Sequence, residues 1–77
     1  MNPNRKATRA AALRELENVY RISAIVHCAE KTLRRAVEIT GGASVELALV
    51  ADDCGALQVG YAKRAAACRA TLEENTR

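Results

Sequence analysis

The stretch Glu38–Leu47, EITGGASVEL, contains the only Gly-Gly pair in the chain. It is either a hinge between two helices or a glycine loop that wraps a phosphate. A phosphate loop requires a preceding strand and a Lys-Ser/Thr or GxGxxG pattern, and neither is present. Gly41 or Gly42 suits the left-handed residue that ends a helix, and Ser44 suits the cap of the next helix, with Glu46 in its first turn. The stretch therefore reads as a hinge.

The arms on either side of the hinge are nearly equal. Helices over 8–40 and 44–74 would each run roughly 50 Å at about 1.5 Å per residue, which describes an antiparallel helical hairpin. At about 100° per residue, Ile22, Ile25, Val26, Cys28, Ala29, Leu33, Ala36, Val37 and Ile39 share an apolar arc of about 180°. Leu13, Leu16, Val19 and Tyr20 continue it toward the N-terminus. After the glycines, Leu47, Val50, Cys54, Leu57, Tyr61, Ala65, Cys68 and Leu72 form a narrower stripe of about 80° with heptad-like spacing. The competing fold is a β-hairpin, with SVELALV and ALQVGY alternating about the turn DDCG. That fold accounts for Gly55 and Gly60, each of which costs a helix about 1 kcal/mol. The unbroken stripe from Leu47 to Leu72 favours helix, allowing for a kink or break at 52–55. The fold class is thus all-α, with a basic N-terminal arm over 1–7, a turn over 41–43 and a frayed tail over 75–77. Either Asn2 followed by Pro3, or Thr8, could start the first helix.

A chain of 77 residues makes at most one domain, near the lower limit for folding alone. It holds sixteen Ala, sixteen Leu, Ile and Val together, no Phe or Trp, and only Tyr20 and Tyr61 as aromatics. Small and medium side chains suit closely packed helices. The second helix covers only part of the first helix's arc, so dimerisation into a four-helix bundle, or an obligate protein partner, is the expectation. The interface would use Leu16, Val19, Ile22, Ile25, Val26, Ala29, Leu33 and Val37.

Three cysteines without a CxxC pair argue against a disulfide framework and point to reduced thiols. On a regular helix His27 and Cys28 point about 100° apart, and Cys54 and Cys68 lie about 21 Å apart, so no metal site assembles within one chain. Asp52-Asp53 and Glu73-Glu74 are neighbours rather than facing pairs, so they form no acid/base dyad. His27 reads as an exposed surface histidine, and Tyr20 with Tyr61 as a packed aromatic pair across the hairpin. No enzyme, cofactor, small-molecule substrate or metal is implied. The absence of a long apolar run implies no membrane span and a cytoplasmic protein.

The functional expectation is a non-enzymatic protein-binding module: a small regulator, inhibitor or dedicated chaperone acting through an apolar helix face. The Arg and Ala bias suggests a GC-rich bacterial, phage or plasmid genome. The alternative is a dimeric nucleic-acid-binding regulator using Arg5, Lys6 and Arg9 with Lys63, Arg64 and Arg69. Ala51 and Gly55 do have the A-x-x-x-G spacing of a helix-turn-helix, but the apolar positions that should follow are poorly matched.

Overall fold

A computed structural model describes residues 3–75, and they form two helices, α1 (Pro3–Ile39) and α2 (Val45–Glu74), packed antiparallel. The hairpin is a rod of 60 × 15 × 14 Å. No strand occurs among the described residues, so the helical reading holds over the β-hairpin.

The Gly-Gly pair ends α1 as the sequence implies. Gly41 and Gly42 take φ of 63° and 76°. This left-handed geometry lets Gly42 N–H donate to the Val37 carbonyl at 2.9 Å and Gly41 N–H to the Glu38 carbonyl at 3.1 Å. The paired bonds satisfy carbonyls that a helix end otherwise leaves open. Ser44 then caps α2, its hydroxyl oxygen accepting from Leu47 N–H at 3.3 Å and donating to Glu46 at 3.2 Å.

Two boundaries differ from the sequence reading. Helix α1 starts at Pro3, so Thr8 lies inside it and residues 3–7 are not a separate arm. Proline's fixed φ suits a first helical position, and Arg5 and Arg9 have a task that holds this end against α2. Their guanidinium groups donate to the carbonyls of Glu74 at 3.0 Å and Leu72 at 3.4 Å, where α2 runs out of its own donors. Asn75 is the C-cap of α2; the expected Asn2 cap and the rest of the expected tail lie outside the described residues. The second difference is at 52–55, where α2 runs on without a break. Gly55 lies within the continuous helix and faces α1, where a Cβ would be in ordinary van der Waals contact with Glu30 at 3.5 Å and Arg34 at 3.7 Å.

The helices meet along two rows of alternating three- and four-residue spacing. On α1 the row is Arg9, Ala12, Leu16, Val19, Ser23, Val26, Glu30, Leu33 and Val37; on α2 it is Leu47, Ala51, Cys54, Gln58, Tyr61, Ala65, Cys68, Leu72 and Asn75. The α2 row is turned from the stripe read in the sequence. Ala51 and Gln58 take the places expected for Val50 and Leu57, which face outward, each about half exposed. The cause is polar as well as steric. Ser23 Oγ donates to Gln58 Oε1 at 2.6 Å, and Gln58 Nε2 donates to the Ser23 carbonyl at 2.8 Å. This reciprocal pair holds Gln58 on the seam, and Ala51 and Ala65 let the backbones approach.

The pair also sets register, which gives a first prediction. Ser23→Ala leaves Gln58 Oε1 half-buried without its donor, at a cost of about 1 kcal/mol and a melting-temperature drop of about 4–8 °C for a chain of this size. The double change Ser23→Ala with Gln58→Leu removes both partners and is expected to recover that loss in a thermal melt. A double variant no more stable than Ser23→Ala alone would show that the pair does not stabilise the hairpin in this way.

Candidate interaction face

Because each helix contacts only one neighbour, the hairpin has two long sides, and they differ in chemistry. On one side polar clamps cross between the helices. Arg34 bonds Glu30 at 2.9 Å, reaches Asp52 at 3.5 Å and donates to the Ala51 carbonyl at 3.4 Å. Its hydrogen bond to Glu30 raises the guanidinium pKa above the ordinary value, against a smaller opposing effect of burial. Farther along that side Arg69 donates to the Tyr20 hydroxyl at 2.8 Å.

The other side carries the ion pair of Arg64 with Glu15 at 2.7 Å, near the open end. The Glu15 hydrogen bond raises the Arg64 pKa, again with desolvation opposing it. Toward the turn this side is largely apolar, with Thr32 in its α1 row and Glu46 and Asp53 on α2 as the polar exceptions. Ile22, Ile25, Ala29, Thr32, Ala36 and Ile39 continue the three-four spacing one row over from the seam, and Val50 and Leu57 run beside them on α2. Ile25 is 69% exposed and Ile39 74%. A groove of about 570 Å³ over Asp53, Ala56, Leu57, Gly60, Tyr61 and Arg64 lies on this side. The small pair Ala56 and Gly60 is exposed there, and a Cβ at Gly60 would meet nothing within 4 Å. A small pair four residues apart suits close helix packing, and here it lies on the open face.

The structure divides the residues expected at an interface. Leu16, Val19, Val26, Leu33 and Val37 face α2 of the same chain, whereas Ile22, Ile25 and Ala29 are exposed on the open side. The basic candidates do not converge. Arg5 and Arg9 close the end of α2, Arg64 and Arg69 are engaged on opposite sides, and Lys6 and Lys63 are exposed. The turn that a helix-turn-helix needs near Gly55 is absent, since α2 is continuous there.

Tyr20 and Tyr61 line the same cleft between the helices, and each meets an arginine. Tyr20 bonds Arg69, and the Arg64 guanidinium lies 6.0 Å from the Tyr61 ring centroid. Cys28 is exposed, Cys54 and Cys68 are half-buried, and all three are free thiols. His27 is exposed, as its helical angle implies. Among the described residues no three His, Cys, Asp or Glu side chains cluster as metal ligands would, and no helix is long and apolar enough to cross a membrane.

Sequence reasoning missed the polar clamps and the two-sidedness they create. A signal was available: Ser23 sits four residues after Val19 and three before Val26, which is a seam position. The chain matches no protein-family model, no curated protein and no solved structure.

Proposed function

We propose that the chain is a non-catalytic protein-binding module, a small regulator, inhibitor or dedicated chaperone, that acts by covering its open apolar face with helix from another polypeptide. One observation carries the reading: a continuous row from Ile22 to Ile39, with Val50 and Leu57 alongside, faces solvent while the opposite side is clamped by polar pairs. Contiguous exposed aliphatics of this kind mark interaction sites in soluble proteins. Three-four spacing is what a helix laid into a groove recognises. Nucleic-acid binding draws less support, because four of its six candidate residues are engaged within the hairpin.

Photocrosslinking in the cells that make the protein tests this. A benzophenone side chain at Ile25 is expected to trap protein, and the same group at Lys31, outside the face, is not. Equal yields at the two positions, or no adduct from Ile25, would refute the proposed function.

A further inference from the structure

We infer that the occupant of this face is a second copy of the chain, with α1 of each copy against α2 of the other and both turns at the same end of a four-helix bundle. The inference rests on the reading of the face given above and adds the occupant and its orientation.

The first support is area. A compact folded chain of 8.3 kDa exposes about 4,600 Å², whereas this hairpin exposes 5700 Å². The surplus of about 1,100 Å² exceeds the roughly 800 Å² that each partner loses in a standard-size interface. A second copy removes that surplus from both chains at once.

Shape then selects the orientation. The Ser23–Gln58 pair sets Ile22 and Ile25 level with the hollow over Leu57 and Gly60 on the neighbouring helix. A two-fold axis parallel to the helices preserves levels and exchanges the helices across the interface. Ile22 and Ile25 of each copy then enter the hollow of the other, as knobs enter holes. A two-fold axis perpendicular to the helices instead lays α1 on α1 and α2 on α2. Near the middle of the rod, aliphatic side chains would meet aliphatic side chains and hollow would meet hollow.

Charge selects the same orientation. Helix α1 carries eight basic and four acidic residues, net +4, and α2 three basic and five acidic, net −2. The parallel axis places the basic helix over the acidic one, and the perpendicular axis places like over like. Near the turn it brings Arg35, at the outer rim of α1 beside Lys31 and with no hydrogen bond or ion pair among the described residues, level with Glu46 of the second copy.

Two measurements test the inference. Spin labels on Ala43→Cys, in a chain with Cys28→Ser, Cys54→Ala and Cys68→Ala, should lie within about two helix diameters of each other, roughly 20 Å. A separation near the 60 Å length of the rod overturns the orientation. The second measurement keeps the native thiols. Arg35→Glu should raise the dimer dissociation constant about 3- to 10-fold, and adding Glu46→Arg should bring it back. Circular dichroism on each variant separates loss of pairing from loss of the hairpin. In the perpendicular arrangement Glu46 comes level with Glu74, so Glu46→Arg alone would tighten the dimer; that result, or a failure of the double variant to recover, overturns the inference. If the cysteine-free chain does not fold, the charge exchange decides the question. A wild-type protein that stays monomeric at high micromolar concentration also overturns the second copy as occupant. Should Ile25 crosslinks to a different protein persist in that case, the proposed function stands without the inference; if both fail, both fall.

Discussion

Val19→Asp is expected to abolish the folded hairpin. Among the described residues Val19 is the largest side chain buried fully, at 1% exposure, and it lies in the middle of the seam. Its buried companions among the described residues are alanines, Ala12, Ala51 and Ala65, and the polar side chains lining the cleft beside it are already engaged, Ser23 with Gln58 and Arg69 with Tyr20. Enclosing an unpaired charge costs several kcal/mol even after relaxation. The whole stability of a chain of this length is about 4–11 kcal/mol, and a two-helix rod belongs at the lower end of that range. Val19→Ala, which only loses volume, should cost about 1–3 kcal/mol and keep the fold. Far-UV circular dichroism at 25 °C distinguishes the outcomes. A Val19→Asp protein that retains wild-type helicity and melts within a few degrees of it would mean the seam is not where the stability resides.

Ile25→Glu and Val26→Glu should fail in opposite ways, although they are adjacent. Neighbours on a helix diverge by about 100°. Val26 is therefore half-buried toward α2, while Ile25 stands 69% exposed on the open face. Glutamate at 26 would be desolvated between the helices, and the expected result is loss of helicity with no defined melting transition. Glutamate at 25 remains hydrated in the single hairpin and has a helix propensity no worse than isoleucine, so helicity should persist. What it should lose is association, because the same carboxylate would be unpaired once a partner covers the face. Sedimentation equilibrium is expected to show Ile25→Glu as a monomer, whereas Lys31→Glu, off the face, behaves as wild type. An Ile25→Glu protein that associates as wild type does would sink this account of the face.

The hairpin was legible because the signals at its turn are local. Two glycines, a capping serine and equal arms need no knowledge of what packs where. The arc on α1 was also legible, and its excess width became the open face. What could not be read was rotation by a fraction of a turn on α2. Large aliphatics at 50 and 57 outweigh Ala51 and Gln58 in any reading of hydrophobicity, yet backbone approach favours the alanine and a hydrogen bond across the seam favours the glutamine. The same limit hid the start of α1. A run of basic residues looks like a solvated arm until the carbonyls of α2, distant in sequence, arrive to be capped. The kink or break allowed for at 52–55 came from glycine's helix cost of about 1 kcal/mol, which the packing of a long helix against α1 outweighs.

The thinness of the seam also governs how the protein responds to heat. Apolar surface newly hydrated on unfolding sets the heat-capacity change, about 12–15 cal/mol/K per residue in ordinary domains. A rod that already exposes most of its aliphatic side chains has less to add, so a single hairpin should fall below that range. Its unfolding enthalpy then changes little with temperature, and its stability curve is low and flat. Covering the open face changes this at once. The buried apolar area returns toward that of a compact domain, the curve steepens, and the melting temperature becomes a function of protein concentration.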